Sequence, residues 1–459
     1  MSSNNNFDDS SSSTFDPFDF TEFDEWHERL TLRNRTLDSM IEDVAFSIPT
    51  LSLQPTNHTN RARRRFIERQ REKGHEGVFE QYFSDDPIYT PEVFRTRFRM
   101  RKPLFERIMS KLVATDQFFQ QNRDAAGRLG MSSIQKCTAA MRVLAYGTGA
   151  DLHDEYLRMS AQTIRRSVEK FVEGVINNFG DEYLRKPNEE DLSYLLHVGE
   201  QRGFPGMLGS IDCMHWEWKN CPTAWAGQYA GRNGKATIIL EAVASQDLWI
   251  WHAFFGTPGS RNDINVLEQS PVFKDILEGR APEVSYVVNG HEKNMGYYLT
   301  DGIYPQWAVF VKSINGPQIR KHQLFAQHQE AARKDVERAF GVLQARFHFI
   351  KRPCLMWDRD MMGKVMLACI IMHNMIVEDE RHTYLNYCDP AEFMEARRFS
   401  NQSGDVEENE DPNFEFSTER IASLSSYMRN RSQVRNREAH SALKNDLIEH
   451  IWQKFGREN

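Results

Sequence analysis

The spacing of apolar residues changes near residue 205, and this change limits the folds open to the chain. Upstream, apolar residues recur every three or four positions through 132–179, the period of amphipathic helices. Downstream, short apolar runs alternate with polar or Gly-rich turns, which is typical of strands. The predicted strands are 207–218, 235–245, 248–256, 296–302 and 307–314, and the predicted helices are 262–277 and about 326–347. This order predicts a mixed α/β domain, a sheet flanked by helices, behind an all-α region.

Length and composition exclude several classes of protein. The 459 residues are enough for two or three domains. No run approaches the ~18 uninterrupted apolar residues of a membrane span, so we expect no membrane partner. The first residues lack the basic start and apolar stretch of a secretory signal, and the six cysteines form no CxxC pair. We therefore expect an intracellular protein with reduced thiols.

Charge is distributed unevenly along the chain. The net charge of −8 gives no overall sign of a nucleic-acid binder. However, residues 61–73 contain seven Arg or Lys, and basic residues return at 94–112. The run RARRR suits phosphate contact or nuclear import, and it is equally typical of a solvated helix face. The net charge alone therefore does not decide whether the chain binds DNA.

Composition divides the chain into five predicted segments. They are a disordered acidic and aromatic tail at 1–60, a basic helical region at 61–200, the α/β domain at 205–385, an acidic flexible linker at 386–440 and an amphipathic C-terminal helix at 441–459. Within the tail, Phe15–Trp26 alternates aromatic and acidic residues, either as a solubilising segment or as a docking motif for a partner. The apolar face of the C-terminal helix suits packing, or alternatively nuclear export or partner binding.

Residues 132–179 have the outline of a helix-turn-helix. Gly147 and Gly149 should end one helix, and Ser160 is a good N-cap for the next. That helix would expose residue types that contact phosphates and base edges, namely Gln162, Arg165, Arg166 and Glu169. The same pattern fits a generic helical bundle equally well.

Three acids stand out in the α/β region. Asp212 lies inside an apolar strand, Asp301 ends another strand before a Gly turn, and Glu337 borders the apolar face of a helix. Taken singly, each has an ordinary structural explanation, such as an i,i+4 pair between Arg333 and Glu337. Together, carboxylates from two strand ends and a helix can converge as oxygen ligands for Mg²⁺ or Mn²⁺. Such a site can activate a water or a 3′-hydroxyl for attack on a phosphodiester, which is nuclease or strand-transfer chemistry.

Other kinds of site are less well supported. Cys213, His215 and Cys221 lack a fourth ligand at standard spacing, so we do not expect structural zinc. The Gly-rich stretches 229–235 and 256–259 lack phosphate-loop spacing, which argues against a nucleotide-binding enzyme.

Four motifs follow one another through the α/β region: GSIDCMHWEWKNCP (209–222), GTPGSRNDINVL (256–267), YYLTDGIYPQWAVFVKSI (297–314) and RKDVERAFGVLQARFHFIKRP (333–353). They resemble the PIF/Harbinger superfamily of DDE transposases, nearest to its plant Ping/Pong-like group, over most of residues 90–385. The resemblance implies an RNase-H-like catalytic core behind a helix-turn-helix. It makes Asp212 and Asp301 the catalytic aspartates and Glu337 the catalytic glutamate. Asp263 corresponds to a further metal-holding acid, although it could equally be the N-cap of the next helix.

The resemblance implies a DNA endonuclease that uses Mg²⁺ or Mn²⁺ and acts as a transposase. It would cut terminal inverted repeats and join 3′-hydroxyls to A/T-rich target DNA in the nucleus, together with a Myb/SANT-like partner. Shuttling to the cytoplasm and homo-oligomerisation stay open. An acidic chain needs a basic patch or a partner to approach DNA, which agrees with a two-protein system. The alternative is a domesticated host protein that binds DNA or chromatin as an adaptor without transposition.

Overall fold

The computed structural model describes residues 67–278, 281–381, 414–417 and 431–456. The predicted tail at 1–60 lies outside the described residues, together with the docking motif Phe15–Trp26. The predicted linker at 386–440 is described only at 414–417 and 431–440.

The described chain begins with helices that pack around an aromatic core. Ser132 forms a capping box with Gln135 at the start of one of them, and Gly147 ends the same helix with a φ of 60°. Ser160 accepts a hydrogen bond from the Thr163 N–H, so the predicted N-cap is confirmed. The helices are α1 (Arg71–Tyr82), α2 (Pro91–Phe98), α3 (Lys102–Thr115), α4 (Ser133–Tyr146), α5 (Asp154–Leu157), α6 (Ala161–Tyr183) and α7 (Glu189–Gln201).

A five-stranded mixed sheet follows, and all five predicted strands are found in it. Its order is β3-β2-β1-β6-β7. The pairs β1–β2 and β2–β3 are antiparallel, whereas β1–β6 and β6–β7 are parallel. The strands of this sheet are β1 (Met207–Glu217), β2 (Thr237–Ala244), β3 (Ile250–Pro258), β6 (Tyr297–Thr300) and β7 (Phe310–Lys312).

A second sheet, with the order β5-β4-β8, was not predicted from the sequence. Its strands are β4 (Glu283–Val288), β5 (His291–Lys293) and β8 (Phe414–Ser417). The hairpin between β4 and β5 turns at Asn289 and Gly290, with φ values of 50° and 78°. Asn-Gly is the preferred pair for such a turn because both positions need positive φ. The sequence therefore contained a signal for this hairpin.

The remaining helices are α8 (Thr223–Tyr229), α9 (Asp263–Gln269), α10 (Pro271–Leu277), α11 (Arg320–Arg346), α12 (His348–Lys351), α13 (Arg359–Asp379) and α14 (Arg437–Phe455). The single helix predicted at 262–277 is wrong, because it is two helices. Pro271 begins α10 and has no backbone N–H to continue the hydrogen bonds of α9. Its ring also disfavours a helical backbone conformation at Ser270, so the helix cannot be continuous there.

Helices cover both faces of the main sheet, so the predicted mixed α/β core is confirmed. On one face, the Ser210 hydroxyl of β1 donates to the Ala332 carbonyl of α11. On the other face, Ile211 packs with residues of α9 and α10 such as Leu267 and Phe273. At the edge, the Asn374 side chain of α13 bonds both backbone groups of Ile250 in β3.

Helix α13 is long and apolar enough to cross a membrane by length and composition. However, 72% of its most apolar 18-residue stretch is buried within the fold, and buried core helices can have the same length and apolar composition as membrane spans. Its burial against β3 and α6 accounts for its apolar sequence.

The C-terminal helix α14 packs against α11, and its predicted packing face is confirmed. The buried apolar residues of α14 are Leu443, Leu447, Ile448 and Ile451. The Phe455 ring stacks on His328 of α11 with 4.5 Å between ring centroids. This helix therefore supports the back of the helix that carries Glu337.

Candidate active site

Asp212 lies on the central strand of the main sheet, with its side chain on the face covered by α11. Side chains alternate along a strand, so Asp212 shares this face with Ser210 and Met214. Ser210 bonds the backbone of α11, and Met214 contacts Gln344 of the same helix. The Asp212 side chain is only 19% exposed. The strand therefore places this carboxyl group directly under α11.

Asp301 lies beside Asp212 because β1 and β6 are parallel neighbours. Ser210 pairs with Leu299, and each aspartate is two residues further along its own chain. One Asp301 carboxylate oxygen accepts the Ile303 N–H at 3.0 Å, which fixes the turn after β6. The strand-end placement predicted for Asp301 is thus observed.

The pKa of Asp212 indicates that the three acids influence one another. Burial, together with the nearby charges of Asp301 and Glu337, raises the pKa of Asp212 to about 6. Two contacts oppose this rise, the Cys213 N–H that donates to Asp212 at 2.8 Å and the Arg333 guanidinium. The structure therefore brings the three predicted acids into one electrostatic group, which we call the acid group (Asp212, Asp301 and Glu337).

Arg333 links two members of the acid group. Its guanidinium nitrogen lies 2.6 Å from Glu337 Oε1 and 3.6 Å from Asp212 Oδ2. The pair with Glu337 one turn away on α11 was predicted, whereas the contact with Asp212 was not. Local sequence cannot show which residues of α11 face β1, so this bridging position became visible only in the fold.

Asp263 begins α9 and belongs to a different set of neighbours. The N-cap of α9 is Asn262, whose side chain accepts the Asn265 N–H, so the interpretation of Asp263 as the N-cap is wrong. Burial raises the pKa of Asp263, and the nearby charges of Asp301 and Glu241 act in the same direction. A hydrogen bond with the Cys213 thiol lowers that pKa. Cys213 points to the face of β1 opposite Asp212. Asp301 is thus the acid that interacts with both Asp212 and Asp263.

Glu241 is an acid that the sequence reasoning missed. It is completely buried in β2, opposite Cys213 of β1. Among the described residues, neither carboxylate oxygen has a hydrogen-bond partner, although His252 Nε2 lies 3.5 Å away. An acid within the apolar run TIILEAVA is the same signal that singled out Asp212.

The residue types of the acid group fit a hard divalent cation. Carboxylate oxygens are the preferred ligands of Mg²⁺ and Mn²⁺, and added positive charge opposes both the burial and the repulsion by Asp301 and Glu337 that raise the pKa of Asp212. Arg333 supplies positive charge between Asp212 and Glu337. Within the described part of the chain, no three His, Cys, Asp or Glu side chains are arranged to hold a metal ion.

The other candidate ligands have different surroundings. The Cys213 thiol lies 3.7 Å from the Tyr304 hydroxyl, and burial raises the pKa of that thiol. His215 is exposed, and its Nδ1 lies 3.0 Å from the Thr237 hydroxyl. The structure therefore explains both side chains by local packing.

Two family models match parts of the chain. The model described as "Plant transposon protein" matches residues 181–384. A model described as a domain of unknown function (DUF8418) matches residues 74–113. The larger match includes the whole five-stranded sheet and α11, which carry the acid group.

Curated relatives point to the same kind of protein. The chain is 23% identical over 298 residues to "Protein ALP1-like" of Arabidopsis thaliana. The aligned residues cover 64% of this chain and 72% of that protein. It is 23% identical over 178 residues to "Putative nuclease HARBI1" of Bos taurus, which covers 38% of this chain and 47% of that one. The chain is similar to PIF/Harbinger-type, transposase-derived proteins. It spans about half the length of the HARBI1 relatives, the Rattus norvegicus protein included.

No solved structure gives a significant match to this chain.

The residues predicted to contact DNA lie on α6, upstream of the region matched to the plant transposon family. Gln162, Arg165 and Arg166 are exposed in the first turns of this helix. The Arg166 guanidinium lies 5.5 Å from the centre of the Phe118 ring. Exposure is what a DNA-contacting role requires, and that role stays a prediction.

Proposed function

We propose that this chain is a metal-dependent DNA endonuclease that acts as a transposase. The observation that carries the proposal is the acid group, which unites Asp212, Asp301 and Glu337 from three separate stretches of sequence. The similarity to the relatives named "Putative nuclease HARBI1" supports the same reaction class. The reaction would be hydrolysis of phosphodiester bonds at element ends, followed by attack of the 3′-hydroxyl on A/T-rich target DNA.

The acid group would hold Mg²⁺ or Mn²⁺, with Asp263 as a further acid beside Asp301. A bound metal supplies activation of the attacking hydroxyl and stabilisation of the leaving oxygen. Asp212 must be ionised to serve as a ligand, and Arg333 favours its ionised form. Burial against α11 orients Asp212, and the turn at Ile303 orients Asp301.

The strand order supports an RNase-H-like core. Strands β3, β2 and β1 are antiparallel neighbours, and β6 and β7 then run parallel to β1. Asp212 lies on the central strand β1, and Asp301 follows the end of β6. The helices α4 to α6, with Ser160 as an N-cap and exposed arginines on α6, support a helix-turn-helix that contacts DNA.

The partners and compartment follow from the proposed reaction. The substrate would be DNA with terminal inverted repeats, in the nucleus. The net charge of −8 opposes DNA binding by the chain alone, which supports the use of a Myb/SANT-like DNA-binding partner.

Cleavage assays on supercoiled and end-bearing DNA with Mg²⁺ or Mn²⁺ test the proposal. Asp212→Asn, Asp301→Asn and Glu337→Gln should each reduce cleavage at least about a hundredfold, because each removes a carboxylate needed to hold the metal. The control is Glu330→Gln, an exposed acid two turns earlier on α11, which should retain wild-type cleavage. Activity that survives two of the three changes, or that persists in a chelator, would contradict the assignment.

A further inference from the structure

Trp218, just beyond β1, joins two segments that lie side by side. It is buried, and its indole N–H donates to the Met356 carbonyl at 2.8 Å. Tyr229 of α8 packs edge-on against its ring with 5.1 Å between centroids. The Arg359 guanidinium also donates to the Tyr229 hydroxyl at 3.2 Å. Residues 219–235 and 351–360 therefore form one continuous surface, which we call the tryptophan surface.

Large apolar side chains of the tryptophan surface face solvent. Trp225 is 46% exposed, Leu355 is 60% exposed and Trp357 is 69% exposed. Two hydrogen bonds hold this geometry, because the Asn220 side-chain amide donates to the Leu355 carbonyl and the Lys219 backbone N–H donates to the Cys354 carbonyl. Tryptophan is usually well buried, so two exposed indoles on one anchored surface indicate a binding site.

The charge of the tryptophan surface is opposite to that of the whole chain. Its two segments contain six Lys or Arg and two Asp, whereas the chain carries −8. All six cations are exposed: Lys219, Arg232, Lys235, Lys351, Arg352 and Arg359. Exposed aromatic rings among cations match a ligand that offers flat bases and phosphates.

We propose that the tryptophan surface binds unpaired nucleotides of DNA. Trp225 and Trp357 would stack on bases, and the surrounding cations would contact phosphates. Bases inside a duplex are already stacked, so this mode favours single-stranded ends or flaps. Trp218 is six residues beyond Asp212, or about 20 Å along the strand direction, so one DNA molecule can reach both sites. The proposal rests on the proposed function only in taking DNA as the ligand.

Binding of the full chain to a labelled 20-nucleotide single strand and to the matching duplex, measured by fluorescence anisotropy in EDTA, tests this. Trp225→Ala with Trp357→Ala should weaken single-strand binding at least about tenfold and change duplex binding less than about twofold. Trp225→Phe with Trp357→Phe should keep most of the affinity, because phenyl rings still stack. Tyr194→Ala, at a tyrosine 48% exposed on α7, is the control and should bind as the wild type does.

Lys219→Ala with Lys351→Ala should lower the salt dependence of single-strand binding by about 1.4 in the log–log slope. Unchanged single-strand affinity in the double tryptophan variant would overturn the proposal, as would an equal loss for strand and duplex. A variant that binds DNA normally but loses self-association in sedimentation would make this surface a protein interface and also overturn it. The binding assay contains EDTA, which prevents metal-dependent cleavage. Its result can therefore be interpreted even if the nuclease assignment fails.

Discussion

Asp212 is held where burial and two neighbouring acids favour its neutral form. Its pKa of about 6 in the folded chain lies above the value near 3.9 expected when unfolded. Between these two values, the unfolded chain releases the proton first as pH rises. The free energy of unfolding therefore falls as pH rises from about 4 to about 6, and the loss persists at neutral pH.

We therefore expect Asp212→Asn to stabilise the metal-free protein by about 1–3 kcal/mol at pH 7.5 and by less at pH 5. The amide cannot ionise, so it does not carry the cost of a charge beside Asp301 and Glu337. Urea unfolding in EDTA at both pH values measures the difference. Glu330→Gln should show no such gain, and a destabilised Asp212→Asn at pH 7.5 would show that contacts with Arg333 outweigh the repulsion.

At this scale, the sequence was most informative where a residue contradicts its surroundings. An acid inside an apolar strand identified Asp212, and an acid before a turn identified Asp301. The Arg333 contact with Asp212 and the separate neighbourhood of Asp263 depend on which face of β1 meets α11, which no local pattern contains. Asn262 and Asp263 are both good capping residues, so only the structure could choose between them.

At the scale of elements, prediction succeeded where one segment determines its own structure. The five strands of the main sheet and the helix start at Ser160 follow from local apolar patterns and capping chemistry. Strand β8 could not be predicted, because its pairing with β4 joins residues more than a hundred positions apart. The break at Pro271 and the turn at Asn289-Gly290 depend on proline and Asn-Gly chemistry, which apolar periodicity does not contain.

Helix α6 gives the prediction that belongs to this scale. Arg165→Ala with Arg166→Ala should weaken DNA binding and lower the salt slope by about two for duplex DNA, one for each lost phosphate contact. Binding isotherms at several salt concentrations measure the slope. Lys111→Ala, an exposed cation on α3, is the control and should leave the slope unchanged. Unchanged affinity and slope in the double variant would indicate that α6 belongs to a simple helical bundle.

For the whole molecule, the acid group depends on packing that spans the chain. Asp212 comes from the central strand, and Glu337 comes from a helix held from behind by α14. Helix α14 begins 100 residues after Glu337 in the sequence. The amphipathic pattern predicted a packing face for α14, but no pattern named α11 as the element it would cover.

Leu447 provides a test of this long-range support. This residue of α14 is completely buried in a cluster with residues of α11 and the second sheet. Leu447→Ala should therefore reduce the free energy of unfolding by about 2–5 kcal/mol. Leu152→Ala removes the same atoms from a side chain that is 69% exposed and should cost less than about 0.5 kcal/mol. Urea unfolding monitored by tryptophan fluorescence compares the two variants. An equally small loss of unfolding free energy in both variants would contradict this prediction. It would mean that the region carrying Glu337 does not depend on the packing of α14.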